Sequence, residues 1–397
     1  MNRFDLWAEQ MSVDPLPTLA RMRAEAPLVR LHNPNQDAPE WHVTRYADVV
    51  ALLRDPRFSK DKRKLSDEAR GRYFRVTEFD GLDKHMLFAD PPEHTRLRSL
   101  VAKAFTPRRI ADLRPSVEKA TERLLDEVAE HTEVDLLDAL AFRLPITVLA
   151  ELIGIPVTDQ DRFREWTGIL VAPADFDQLR RMVIELEEYL GQFLAMRRRH
   201  PGDDLTSALL AAEQDGDRLS PVELMSMTFL LVAAGFETTG NVIGNGVWAL
   251  LRHPEQLRRL RGEPELIGSA IEEILRWCPS VKNTTGVFPL TDVEFLDTVI
   301  PAEEMVIGSI LSAHHDPEAF DRPELFDIAR TPNKHLAFGL GTHFCLGSSL
   351  ARVEASVAVG AVVRRFPALR CAADPDALAW KDGVFIRGLE RLPVEVR

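Results

Sequence analysis

Apolar residues recur at helical spacing along most of the 397-residue chain, with short strand-like runs scattered between them. Thr106-Pro107 reads as an N-cap followed by proline in the first helical position, opening a helix towards His131. A second long helix is expected from about Phe176 to His200, stopped by Pro201-Gly202. The clearest signal starts at Ser220, where Pro221 occupies the first turn and Glu223 completes a capping box, and it continues to His253-Pro254. At 1.5 Å per residue such a helix measures roughly 45–50 Å, enough to serve as a spine. Helices from Pro254 to Arg261, from Ile267 to Cys278 and from Leu346 to about Phe366 follow. Strand-like segments are few: Glu40 to Thr44, Val293 to Ile300, Met305 to Ile310, Asp382 to Arg387 and Leu392 to Val396. Helices and strands do not alternate, which speaks against a doubly wound sheet and predicts a mainly α fold with small antiparallel β-sheets. No repeat, low-complexity stretch or Gly/Ser linker divides the chain, so 1–397 reads as a single domain. Residues 60–84 are charge-dense with weak periodicity and are expected to form a long loop.

Charge narrows the function. With 49 Lys plus Arg against 62 Asp plus Glu, the formal charge is −13, which argues against a nucleic-acid binder that neutralises phosphates. Hydrophobic residues at 45% and charged residues at 28% are ordinary globular composition, sufficient for a large core. The three cysteines, Cys278, Cys345 and Cys371, suffice for neither a disulfide framework nor a zinc ribbon, and a reduced cytoplasmic compartment is expected. The first 19 residues carry Asp5, Glu9 and Asp14 and no unbroken apolar stretch, so neither a signal peptide nor a membrane anchor is expected there. The longest apolar run, Phe229 to Phe236, falls short of the ~18 residues of a membrane span.

The segment from Phe338 to Gly347 concentrates unusual residues. Gly339 and Gly341 free the backbone for positive φ, Cys345 follows, and a long helix starts at once, placing the sulfur at a helix N-terminus where unpaired N–H groups favour thiolate. Gly347 leaves the first turn without a side chain, so a flat ligand can lie against the backbone, and Phe338 shields the sulfur. These are the requirements of a thiolate-ligated haem. A lone cysteine is also commonly a small buried hydrophobe. A dinucleotide loop lacks its third glycine and its βαβ setting, and zinc lacks further ligands beside His343 and Cys345. Ten consecutive positions match the Phe-Gly-x-Gly-x-His-x-Cys-x-Gly signature, and the chain thereby resembles the cytochrome P450 family from about Asp14 onward, in particular soluble bacterial members that oxidise polyketides and other secondary metabolites.

Three more constellations match that resemblance in order. In Ala234-Gly235-Phe236-Glu237-Thr238 a carboxylate and a hydroxyl sit midway along the spine; a helix face turning to solvent is the plain alternative. Gly235 and Ala234 would let a ligand approach the helix closely, and Thr238 can bond back to a carbonyl. The resemblance implies an oxygen groove in which Thr238 holds dioxygen and Glu237 supplies the proton route for O–O cleavage. His94 and Arg98 share one helix face, which by itself suggests a solvated surface. The resemblance implies instead that they bind the haem propionates together with His343. Glu273 and Arg276 at i,i+3 would ordinarily be a surface ion pair of ~0.2–0.5 kcal/mol. By resemblance they form, with Arg330, a buried clamp for folding and haem retention.

One departure stands out. The family usually carries an arginine that meets a propionate five residues before an Asp-x-Glu stretch, and that position here is Val287, beside Gly286 and Phe288. His314-His315-Asp316 likewise replaces Asn-Arg-Asp. The resemblance further implies haem b, ferredoxin and ferredoxin reductase drawing on NAD(P)H, a monomeric enzyme, and insertion of one oxygen atom from O2 into a C–H or C=C bond. Arg96 and Arg352 are candidate contacts for an acidic ferredoxin. Phe229, Ala233, Ala234, Val287, Phe288 and Phe385 are expected to line a pocket for a hydrophobic small molecule, with the segment from Leu65 to Phe88 as a lid and with Ala233, Ala234 and Gly286 leaving room for a polycyclic or macrocyclic one. A peroxide-driven enzyme of the same fold and a non-catalytic haem-binding sensor are the competing readings.

Overall fold

Helices form where the capping signals lie. In the computed structural model, which describes residues 4–8, 10–34, 36–74, 81–171, 175–211, 213–214 and 217–397, the helix Pro107–Ala129 begins with the Thr106 hydroxyl accepting from the Arg109 N–H at 3.2 Å. Phe176–Arg199, Pro254–Gly262, Ile267–Trp277 and Ser348–Arg365 also stand within one or two residues of their expected limits. At Ser220 the capping box closes in both directions, at 3.3 Å to the Glu223 N–H and at 2.7 Å back from its carboxylate.

The spine is two helices and not one. Pro221–Gly235 ends at Phe236, whose φ of −114° and ψ of −39° depart from helical values, and Glu237–Arg252 resumes at once. The cause is side-chain competition for carbonyls. Thr238 Oγ1 donates to the Ala234 carbonyl at 2.9 Å, Thr239 Oγ1 to Gly235 at 3.4 Å, and Asn241 Nδ2 to Glu237 at 2.9 Å. Although residues 221–252 span 32 positions and contain an 18-residue window with a mean hydropathy of 1.2, enough by length and composition to cross a membrane, Ile243, Val247, Ala249 and Leu250 are among the most buried side chains of the core. The second spine helix packs on Ser348–Arg365, which also contacts Pro107–Ala129 and Ile267–Trp277. A Cβ at Gly240 would stand 2.5 Å from Phe142 Cδ1 and 3.0 Å from the Ala141 carbonyl, so the spine meets residues 141–142 at backbone distance.

The sheets are small. Ala38–Val43 pairs antiparallel with Leu28–Asn33, a strand the sequence pattern did not suggest, and parallel with Met305–Gly308, so this sheet is mixed. Val293 to Ile300, expected as one strand, is a hairpin of Val293–Phe295 and Thr298–Ile300, because Leu296 and Asp297 take φ of 51° and 57°. Asp382 to Arg387 forms no strand beyond a single bridge from Ile386 to Val281. Pro393–Glu395 pairs with Glu133–Asp135 and Arg370–Cys371. Within the expected loop 60–84 lie a 3-10 turn, Lys62–Lys64, and a helix, Asp67–Tyr73. The Ser66 hydroxyl caps that helix from the Ala69 N–H at 3.2 Å and Arg72 reaches Glu68 at 2.8 Å, local polar contacts that hydrophobic periodicity does not register. Residues 75–80 of the expected lid lie outside the described residues.

Candidate active site

The cysteine loop is built from its glycines. Gly339 and Gly341 take φ of 69° and 75°, and the Cys345 N–H donates to the Phe338 carbonyl at 2.8 Å. Phe338 lies under the Arg352 guanidinium, 4.5 Å from its ring centre. A Cβ added to Gly347 would stand 3.9 Å from Cys345 Sγ, so its absence keeps space open beside the sulfur. Cys345 is exposed to the cavity that it lines, yet protein encloses it on its other sides. Burial therefore dominates, and the thiol is raised above its ordinary value although the N–H groups of Gly347 and Ser348 and the charges of Arg98 and Arg352 pull the other way. The expectation that the helix end favours thiolate is corrected here. A thiolate at this place needs a cation against the sulfur, which an iron centre is.

That cavity has a volume of about 1490 Å³. On one wall, the helix Glu93–Ala104 presents His94 and Arg98. Arg98 Nη2 donates to the Phe344 carbonyl at 2.7 Å, tying the helix to the residue before the cysteine. His94 is 2% exposed, its ring centre is 4.2 Å from that of His343, and among the described residues neither of its nitrogens has a hydrogen-bond partner. Burial lowers both imidazoles, His343 to about 3. Both are neutral at neutral pH and stand beside a guanidinium, which suits them to carboxylates that accept hydrogen bonds. A flat macrocycle with two acidic side chains and a metal for the sulfur fits this wall, this open glycine and these orphaned nitrogens.

Ala234, Glu237 and Thr238 from the spine line the same cavity. Glu237 is 6% exposed, and its Oε1 accepts from Lys381 Nζ at 2.8 Å and Asn241 Nδ2 at 3.2 Å. Gly235 serves packing: a Cβ there would press on Leu149 at 3.0 Å.

Away from the cavity, Glu273 and Arg276 are fully buried and paired at 2.7 and 2.8 Å. Arg276 also donates to the carbonyls of His314, Pro323 and Leu325 at 3.0, 2.8 and 2.9 Å. Arg330 Nε reaches both Glu273 oxygens at 3.1 Å. His314 has a role the sequence did not disclose. Its Nδ1 meets the Arg276 carbonyl at 2.9 Å and its Nε2 accepts the Leu336 N–H at 2.7 Å, so it joins the clamp to the segment leading to Phe338.

The pocket differs in part from expectation. Phe229, Ala233, Ala234 and Phe385 line the cavity. Val287 and Phe288 do not. Val287 exchanges backbone hydrogen bonds with Val306 and packs in the cluster of Trp41 and Val43, while Phe288 sits one layer back, its ring 5.4 Å from Tyr73 and 5.9 Å from Phe74. Gly286 leaves no room either, since Met305 atoms lie 2.7 Å from where its Cβ would be. Val281 and Thr285 line the cavity in their place. Residues 6–8, 11 and 12 and the buried His85 also line it, and sparse apolar content near the N-terminus gave no signal for them. Arg96 pairs with Asp217 and Glu223, and Arg352 holds Glu272 at 2.7 and 2.9 Å, so both arginines have carboxylate partners within the chain.

Comparison with known proteins agrees with this geometry. Residues 169–384 match the family model for Cytochrome P450. The chain is 48% identical to Cytochrome P450 107B1 of Saccharopolyspora erythraea, over 94% of this chain and 93% of that protein. It is 40% identical to the Polyketide biosynthesis cytochrome P450 PksS of Bacillus subtilis, over 96% of each. Among solved structures, the myxobacterial cytochrome P450 CYP267B1 in complex with myristic acid superposes with a TM-score of 0.95 at 44% identity, covering 99% of this chain and 98% of that one. With a cysteine loop of this build and likeness along nearly its entire length, the chain belongs to the cytochrome P450 family of haem-dependent monooxygenases.

Proposed function

We propose that this enzyme transfers one oxygen atom from O2 into a C–H or C=C bond of a hydrophobic secondary metabolite of polyketide or macrolide type, working in the cytoplasm with electrons from a ferredoxin and its reductase. The cavity carries this reading: about 1490 Å³ in one chamber, with Cys345 on one wall, Thr238 on another, and the rings of Phe74, Phe88 and Phe229 around the remainder. Similarity to a polyketide-biosynthesis relative supports the substrate class. Haem held at Cys345 would supply the chemistry of O2 activation, which a thiolate ligand favours.

The chain's own residues then have these tasks. Cys345 would hold the iron, and His94, Arg98 and His343 the propionates. The Thr238 hydroxyl, by donating to the Ala234 carbonyl, turns its lone pairs outward and accepts a hydrogen bond from a protonated group beside it. Glu237 lies on the cavity wall and receives the Lys381 ammonium, whose side chain is 29% exposed, so a proton can pass between solvent and a buried carboxylate. The apolar walls exclude water from the substrate.

Replacing Thr238 by Ala is expected to keep the haem but to divert reducing equivalents into hydrogen peroxide, seen as less product per NAD(P)H consumed. Unchanged coupling would overturn the assignment. Spectral titration against polyketides, terpenoids and steroids tests the substrate class. Turnover with ferredoxin and reductase, compared with turnover on peroxide alone, tests the electron source.

A further inference from the structure

Val287 leaves the carboxylate wall one cation short of the family pattern. The structure supplies a cation from the facing strand. Phe58–Ser59 pairs antiparallel with Phe288–Pro289, Phe58 opposite Pro289 and Ser59 opposite Phe288, and Lys60 follows this strand as Val287 precedes its partner. Its Nζ donates to Thr285 Oγ1 at 2.5 Å, and Thr285 lines the cavity together with His94, Arg98 and His343. The Lys60 charge is close enough to act on both imidazoles.

Among the described residues no carboxylate forms an ion pair with this ammonium. Asp90 accepts the Lys60 backbone N–H at 3.0 Å, but its carboxylate is engaged by Lys64 at 2.8 Å and Ser59 at 2.5 Å. Burial lowers Lys60 to about 8, against the attraction of Asp90. An enclosed ammonium whose hydrogen bond goes to a neutral hydroxyl has two N–H groups left for an anion.

We propose that Lys60 binds a haem propionate in this enzyme, taking over from across the strand pair the task of the arginine that Val287 replaces. The inference rests on the reading that His94, Arg98 and His343 face the propionates. A lysine there is a compact point charge with rotatable donors, where arginine would offer a rigid planar fork.

The test follows transfer of haem from the ferric holoenzyme to excess apomyoglobin. Wild type, Lys60→Met and Lys60→Arg are each loaded with haem or with haem dimethyl ester, in which both carboxylates are masked. With haem, Lys60→Met is expected to lose it roughly tenfold to a hundredfold faster, the range of a hydrogen bond to a charged group, and Lys60→Arg to stay near wild type. With the ester, wild type and Lys60→Met should not differ. Equal retention of haem by wild type and Lys60→Met overturns the proposal, and so does an equal acceleration for haem and ester, which marks a structural lysine. If wild type kept the ester as firmly as haem, the carboxylate reading itself would fall, and the proposal with it. Lys60→Gln, which keeps a donor for Thr285, decides the question on the same outcomes if Lys60→Met does not fold.

Discussion

Glu354 is a carboxylate in an apolar place. It lies on the final helix, 2% exposed, with Oε2 unpartnered among the described residues, and burial pushes it from 4.5 up to about 8. The folded enzyme therefore binds this proton more tightly than the unfolded chain does. Its contribution to stability is fully present below pH 4.5 and is lost as pH rises towards about 8, above which it is constant. Glu354→Gln is expected to flatten that slope, so urea midpoints of wild-type and variant holoenzyme should diverge between pH 5 and 8, wild type falling faster. Parallel curves would show that the carboxyl finds a partner. Much of the site is readable at this scale, because Cys345, Gly339, Gly341 and His343 act through neighbours in sequence. Val287 and Phe288 were misjudged because strand pairing with Val306 and the Tyr73 and Phe74 rings in front decide where they face. Lys381 gave no signal, since its partner Glu237 lies more than a hundred residues away in sequence.

Between elements, Glu273 does the most. One carboxylate receives Arg276, Arg330, the Asp327 N–H at 3.0 Å and Asn333 at 3.2 Å, fastening the helix Ile267–Trp277 to the chain that leads to the cysteine loop. Glu273→Gln leaves two guanidinium groups without their counter-charge and is expected to cost about 3–5 kcal/mol, the loss on breaking a buried pair. Thermal unfolding and the haem-to-protein ratio should both fall, and a variant with unchanged values would show that the clamp is dispensable. Gly240→Ala is expected to cost about 1–3 kcal/mol by forcing Phe142 aside, read from the urea midpoint with the slope unchanged. Helix limits were legible because caps and prolines sit inside the local sequence. The break at Phe236 was not, since threonine and asparagine weaken a helix only when their side chains turn back to its carbonyls.

Across the molecule, one apolar cluster runs from Leu82 to Val396, and a separate one joins Phe4, Leu6, Leu19 and Met22 to Leu31 and Leu311. The second holds residues 6–8, 11 and 12 against the cavity, where Ser12 Oγ donates to Asp382 at 2.8 Å and the Ser12 carbonyl accepts from Arg387 at 3.1 Å. Removing residues 1–12 is expected to leave haem content intact and to weaken binding of hydrophobic substrates about tenfold, the effect of losing one well-buried apolar side chain. The substrate-induced absorbance change would measure it, and equal affinity would show that this segment forms no working wall. The overall class was legible from the dominance of helical periodicity, but the chamber was not, because it is enclosed by segments from opposite ends of the chain. Ser12 and Asp382, which join the two segments, stand 370 residues apart in sequence, so the chamber is closed only when both segments are in place. Loosening either segment would therefore leave the vestibule ajar, a doorway wide enough to matter for whatever the chamber takes in.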